Sequence, residues 1–481
     1  MSELPHFPHL VAGEVRPAGR LEVETPFDRS PIATLDTMDQ QGVEQALAIA
    51  HHTYRERSAW LPPHERVAIL GRAKQLMSER AEELALEAAR EGGKPLADSR
   101  VEVTRAIDGI ALCIEALRNA HGEEVPMGLT AASVGRLAFT RHEPIGVVVA
   151  VSAFNHPLNL IVHQVGPAVA AGCPVIVKPA SDAPLSCMRL VQILHEAGLP
   201  QPWAQALLTC DNTTTAKLAC DERVGFFSFI GSARVGWQLR SQLAPGTRCA
   251  LEHGGVAPVI IEADADLDDA LPLLAKGGFY HAGQVCVSVQ RVYAHASIAR
   301  QVAERLSALG QAMQVGDAIH EDTDIGPLIR PREVERIHEW VGEAVAAGAQ
   351  LLCGGEPISD TLYPATVLYD PPDDARVSQE EIFGPVICVY PFEETDQAIA
   401  RANALPYAFQ AAVFSKHIDR ALHAYRRLDA STVMINDMTA FRVDWMPFAG
   451  LRHSGLGVGG IAHTFRDMQI QKMAVIRSPA L

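Results

Sequence analysis

The reactive side chains of this 481-residue chain are led by nine cysteines, at positions 113, 173, 187, 210, 220, 249, 286, 353 and 388. None forms a C-x-x-C pair and none has a histidine at metal-ligand spacing, so the pattern predicts neither a zinc site nor a disulfide framework. Most thiols in such a chain are buried small hydrophobes. One can instead be a nucleophile: a thiolate adds to a carbonyl carbon and leaves a thioester that water later cleaves, provided its free pKa of about 8.5 is lowered or a base assists. Two helpers are then required. A hydrogen-bond donor must meet the oxyanion that forms on attack, and a carboxylate drawn partly out of water can activate the hydrolytic water. Asn155, between Phe154 and His156 where a strand turns into a helix, is such a donor or a helix cap. Glu252, directly after the apolar run RCAL, is such a base or a solvated strand end.

Two glycine-containing stretches imitate nucleotide loops. Gly455-Leu-Gly-Val-Gly-Gly460 satisfies G-x-G-x-x-G formally. It follows no clear strand, and too little chain remains for a βαβ unit, so it reads as a glycine-rich loop passing close to a neighbouring backbone. Gly231-Ser-Ala-Arg-Val-Gly236 starts like a P-loop but carries Trp237 and Gln238 where Lys and Ser or Thr are required. That excludes a nucleoside-triphosphatase loop. Lying between the apolar FFSFI and a helical stretch, Gly231 and Ser232 could still present backbone N–H groups to a pyrophosphate.

The elements that must position these residues follow from periodicity. Between about residues 145 and 262, short apolar strands alternate with amphipathic helices at βαβ spacing, which predicts a parallel sheet. Its strands are expected over 145–152, 174–178, 204–209, 225–230 and 248–252, with a helix over 158–171. A second αβ series begins at Val259-Ile260-Ile261 and continues through a strand over 290–294 and helices over 298–313 and 333–347. Residues 123–141 and the tail 465–476 read as extended segments outside both sheets. Segments with no home core suggest an oligomerisation arm.

Composition bounds the function. Hydrophobic residues make up 48% and charged residues 20% of the chain, a balance that supports large cores in more than one unit. The formal net charge of −16 works against binding a nucleic-acid backbone or an anionic membrane surface. The N-terminal MSELPHFPHL lacks a basic start with an apolar stretch, and the longest apolar run, near 145–154, is too short to span a bilayer. A cytoplasmic protein with free thiols is expected.

Seven segments occur in order: AFNHP (153–157), VKPAS (177–181), FIGSARVG (229–236), LEHGG (251–255), GQVC (283–286), EEIFGP (380–385) and MPFAG (446–450). Together, over nearly the whole chain, they resemble the aldehyde dehydrogenase superfamily, in which the nucleophile likewise follows the LEHGG-type glutamate by 34 residues. The resemblance implies an α/β fold with a Rossmann-like cofactor domain (1–122 and 142–252), an α/β catalytic domain (253–445), a small β oligomerisation arm (123–141 and 463–481) and a loop region (446–462) returning to the active site. It implies oxidation of an aldehyde to a carboxylic acid with NAD or NADP, through a thiohemiacetal and thioester on Cys286. Asn155 then serves the oxyanion, and Glu252 activates the hydrolytic water. Lys178 is implied to hold the adenine ribose, Gly231 and Ser232 the pyrophosphate, and Glu381 and Phe383 the nicotinamide ribose and ring. A glutamate at 252 speaks against the branch that passes the acyl group to coenzyme A.

The pattern departs at a few places. Position 181 is Ser where NAD-preferring relatives carry a Glu that would repel a 2′-phosphate, so NADP should be tolerated. His253 stands where Leu is common, Ala449 where Gly is common, and GLGVGG replaces a charged ending. FNHPLN (154–159) and FRVDWMPF (441–448) look most similar to the branch acting on lactaldehyde, glyceraldehyde-3-phosphate and phosphonoacetaldehyde. Arg105, His156 and Arg442 could supply donors to a polar substrate group, or the arginines could be structural ion-pair partners. Val285, where phosphate-handling relatives often place Arg, ranks semialdehydes and hydroxyaldehydes above phosphorylated substrates. A homodimer or homotetramer is implied. The competing readings are a cysteine acyltransferase or esterase without net redox, and a non-catalytic relative that keeps only the fold.

Overall fold

The computed structural model describes residues 4–481. Strands Val147–Val151, Val175–Lys178, Ala204–Ala206, Val224–Ile230 and Arg248–Glu252 are parallel and form a six-stranded sheet completed by an antiparallel edge, Gly455–Leu456. VVVAV at 147–151 is wholly buried, as a central parallel strand covered on both faces requires. The helix Asn159–Ala171 has all its residues buried because it lies between this sheet and the long helix Leu96–Arg118. The expected strand over 204–209 divides: Ala204–Ala206 joins this sheet, while Leu208–Thr209 pairs with Pro31–Met38 in an N-terminal sheet.

A seven-stranded sheet carries the second core, in the order Gln350–Cys353, Thr366–Tyr369, Val386–Phe392, Arg291–His295, Pro258–Ile261, Gln410–Phe414 and Thr432–Ile435. Only Gln350–Cys353 runs antiparallel to its neighbour. The two segments expected to lack a home core find each other: Gln469–Arg477 pairs antiparallel with Arg136–Pro144 over nine residues, and Glu124–Val125 adds a third strand. The tail is not extended throughout, because residues 465–467 end the helix Ile461–Asp467, whose Phe465 is buried in the first core.

What matters for chemistry is where the parallel strands end. Lys178, Ile230 and Glu252 are the last residues of their strands, and Asn155 lies four residues beyond Val151. In a parallel sheet all these carboxyl ends open on one side, so residues scattered over a hundred positions converge there. The turn carrying Asn155 is fixed by a buried carboxylate. Glu102 accepts from the backbone N–H groups of Leu158 and Asn159, both at 2.9 Å, at the start of the helix Asn159–Ala171. It is also ion-paired with Lys94, and both side chains are 1% exposed. Burial pushes the Lys94 ammonium down, and the Glu102 charge opposes that.

Replacing Lys94 by Met leaves a buried carboxylate without its cation, which costs about 3–5 kcal/mol. The expected readout is a lower urea midpoint for the transition that includes this lobe; an unchanged midpoint contradicts the role given to the pair.

Candidate active site

The loop that carries Cys286 is held in an unfavourable shape. His281, Ala282 and Gly283 are three successive left-handed residues, with φ of 51°, 53° and 67°. Non-glycine residues in that region cost on the order of 1–3 kcal/mol each and persist only where the surroundings over-determine them. Gly283 admits no alternative, because a Cβ there would collide with the Gly384 carbonyl. Gln284 clamps the loop, donating from Nε2 to the carbonyls of His281 (3.3 Å) and Pro327 (3.2 Å) and accepting at Oε1 from the Ile329 N–H at 2.9 Å. Asn155 donates from Nδ2 to the Gln284 carbonyl at 3.0 Å. An amide nitrogen has two hydrogens, so this bond aims the side chain at the nucleophile loop and leaves one N–H for an oxyanion.

Glu252, Arg442 and Cys286 form one electrostatic cluster. Arg442 Nη1 lies 3.7 Å from Glu252 Oε1, and the Arg442 side chain is only 10% exposed. Burial raises the Glu252 carboxyl above its ordinary pKa, with Arg442 opposing. The Cys286 thiol is pushed up by burial and by the Glu252 charge, again against Arg442. The thiol is therefore protonated at neutral pH until a base takes its proton. A carboxyl poised above its usual range is the right partner for that and for activating water. Apolar side chains also pack around the thiol: Val285, Val287, Phe409 and Phe448, with Tyr280 and Ala440 against them.

Behind Arg442 lies an ion-pair hub that spacing did not predict. Asp444 accepts from Arg105 Nε at 3.0 Å and Nη2 at 2.7 Å, from His163 Nε2 at 2.8 Å and from Asn159 Nδ2 at 3.2 Å. Burial would raise the Asp444 carboxyl, but His163 and Arg105 outweigh it and hold it well below the usual carboxylate range. Arg105 thus has the geometry of an ion-pair partner. Arg442 is less closely engaged: its ion-pair partner Glu252 stands off at 3.7 Å, its Nε has no partner, Nη2 reaches His163 Nδ1 at 3.5 Å, and its guanidinium stacks 3.6 Å from the Phe448 ring centroid. His156 lies half-buried with its ring 6.4 Å from that of His281, and burial and nearby cations keep it neutral.

The residues expected to hold a dinucleotide line the same side. Lys178 is pushed down to about 8 by burial, with Asp182 opposing. Ser181 is exposed, and the neighbouring carboxylate at Asp182 is engaged by Arg330, whose Nε lies 2.6 Å away. Ser232 precedes the helix Ala233–Arg240 with no side-chain cap, and Gly231 N–H donates to the Glu252 carbonyl at 3.0 Å. His253 bonds the Gly231 carbonyl at 2.8 Å through Nδ1, which fixes the turn that sequence reading flagged only as a departure. Phe383 has a left-handed φ of 49° and meets Phe154 edge-on at 5.9 Å. Glu381 Oε1 is buried without a partner, and burial lifts this carboxyl to about 8. Gly254 lies so close that any Cβ would strike the Glu381 carboxylate. An orphaned acceptor with backbone pressed against it suits the hydroxyls of a ribose, so these residues fit a bound NAD or NADP.

Residues 15–474 match the family model described as the aldehyde dehydrogenase family. The chain is similar to the 3-sulfolactaldehyde dehydrogenase of Priestia aryabhattai, at 36% identity over 95% of each chain. Among solved structures it is similar to aldehyde dehydrogenase 21 of Physcomitrella patens in complex with the reaction product succinate, with a TM-score of 0.94, 33% identity and 99% of each chain covered. It is also similar to the glyceraldehyde-3-phosphate dehydrogenase of Methanocaldococcus jannaschii complexed with NADP, with a TM-score of 0.91 and 33% identity, covering 96% of this chain and all of that one.

With burial raising the thiol, alkylation of Cys286 by iodoacetamide in cofactor-free enzyme should accelerate steadily from pH 6.5 through pH 9.5, because deprotonation is incomplete throughout. Mass spectrometry of the Cys286 peptide separates it from the exposed Cys210. A rate that levels off below pH 8 contradicts the raised thiol.

Proposed function

The chain belongs to the aldehyde dehydrogenase family, and from that premise we propose that it oxidises a short aldehyde bearing an anionic group, a carboxylate or sulfonate, to the corresponding acid with NAD or NADP. The observation that carries the substrate class is Arg442, a largely buried guanidinium beside the nucleophile that no carboxylate neutralises at hydrogen-bond distance. Such a group favours an anion brought into the cavity. The relatives' names point the same way, one to 3-sulfolactaldehyde and one structure to succinate as product.

In this reading Glu252 or water takes the Cys286 proton, and the thiolate adds to the aldehyde carbon. The free N–H of Asn155 stabilises the oxyanion, and its collapse yields a thioester. Lys178, Gly231, Ser232, Glu381 and Phe383 would hold NAD or NADP, which would take the hydride expelled from the carbon as the oxyanion collapses to the thioester. Glu252, having passed any proton from Cys286 to solvent, then takes a proton from the water that cleaves the thioester and gives it to the departing thiolate, which releases the acid and restores the thiol. Arg105, engaged with Asp444 through Nε and Nη2, serves as a structural ion-pair partner.

We also propose assembly with further copies of the chain, as a dimer or tetramer. The strand Gln469–Arg477 has an open edge, and Phe139, Met473, Val475 and Ile476 around it are exposed. No helix among the described residues is long and apolar enough to cross a membrane. Nine free cysteines agree with a reducing cytoplasmic setting.

A panel of short aldehydes read at 340 nm with each cofactor tests the reaction and substrate class; preference for long alkanals or aromatic aldehydes over succinic semialdehyde contradicts it. Cys286→Ala should abolish turnover, while Glu252→Gln should accumulate an acyl-enzyme visible by intact mass; unchanged steady-state rates in either variant overturn these roles. Ser181→Glu should lower the kcat/KM ratio of NADP to NAD at least about tenfold, since a carboxylate repels the 2′-phosphate; a ratio equal to wild type places the 2′-position elsewhere.

A further inference from the structure

Arg442 is held by a neutral group on one side, and that choice has a consequence for substrate selection. Asp444 is acceptor-only, so the His163 nitrogen facing it at 2.8 Å, Nε2, must carry the hydrogen. Asp444 is already satisfied by Arg105 and Asn159 as well, which fixes the imidazole in place. The other ring nitrogen, Nδ1, is then a bare acceptor, and Arg442 Nη2 stands 3.5 Å from it. Burial pushes the His163 imidazole down to about 4, so the ring is uncharged under working conditions. A carboxylate in this position would bind Arg442 more tightly, as Asp444 binds Arg105, but would cancel its charge. A neutral imidazole orients the guanidinium and leaves the charge for an incoming anion.

We propose that His163 is a positioning residue for substrate selection: through Nδ1 it holds Arg442 in place next to Glu252, without neutralising it. The assignment rests on the reading of Arg442 as the anion-binding group given above. Asp444 acts one step further back by setting which ring nitrogen is bare. The Phe448 ring, 3.6 Å from the guanidinium carbon, supports Arg442 from its flat face.

Two near-isosteric substitutions separate the ring's two contacts. His163→Gln keeps a donor near the place of Nε2 and loses the acceptor at Nδ1; His163→Asn keeps an acceptor near Nδ1 and loses the donor toward Asp444. Kinetics are measured with succinic semialdehyde and with butanal, which has the same carbon count and no charge, at saturating cofactor on protein shown folded by circular dichroism. His163→Gln should raise KM for succinic semialdehyde about tenfold with kcat little changed and leave butanal unaffected, as expected for loss of a hydrogen bond to a charged group. His163→Asn should retain most of the wild-type preference. Equal losses on both aldehydes, or a larger loss of preference in His163→Asn than in His163→Gln, overturn the assignment. Arg442→Gln is the control arm. If it lowers the succinic semialdehyde preference while His163→Gln does not, the positioning role fails and the substrate class stands. If it leaves the preference unchanged, the substrate class fails and the assignment falls with it.

Discussion

A thiol, a carboxyl and a guanidinium buried near one another each lose hydration that only a partner can replace, and this constraint organises the centre of the molecule. Glu252 and Cys286 respond by holding their protons more tightly than in water. Arg442 is supported by the face of Phe448, by the Nδ1 of His163 and by the Glu252 carboxyl 3.7 Å away. The full negative charge available nearby, on Asp444, is spent on Arg105 instead. Arg442 is thereby left with no carboxylate at hydrogen-bond distance.

The scaffold delivers these groups through a property of parallel sheets. Every strand of the first sheet except the short Gly455–Leu456 edge runs the same way, so Asn155, Lys178, Gly231 and Glu252 emerge side by side although the chain between them makes several crossings. The second core contributes the nucleophile loop and the segment with Glu381 and Phe383. Gln290 ties that segment down, donating from Nε2 to the carbonyls of Val377 (3.1 Å) and Glu380 (2.7 Å) and accepting from Ile382 N–H at 2.9 Å. Phe383 of that segment meets Phe154, beside Asn155, edge-on at 5.9 Å, so the two cores come together there.

Rigidity at that meeting point is maintained by buried polar groups whose demands interlock. Asn155 is tied to the carbonyl of Gln284, Gln284 to the backbone at Pro327 and Ile329, and the turn before the Asn159–Ala171 helix to Glu102, which is paired with Lys94. A chain of satisfied bonds of this kind can hold three consecutive left-handed residues beside a nucleophile. Such a network specifies a single geometry, because each member left unpaired would cost more than any alternative arrangement returns.

The sequence by itself determined what is local or repeated in chain order. The apolar strands at βαβ spacing, the Gly231–Ser232 turn and the seven ordered segments around Asn155, Glu252 and Cys286 were all legible, because short-range patterning fixes strand ends and the residues at them. The tertiary structure alone decided which charges meet. Arg105 and Asp444 stand 339 positions apart and His163 and Asp444 281 apart, in segments with no shared period or motif, and nothing in their spacing distinguishes an ion-pair partner from a substrate donor. Arg105 and Arg442 looked alike as residues. Their difference arises from burial and from the direction each guanidinium faces, and those exist only once the two cores have closed on each other.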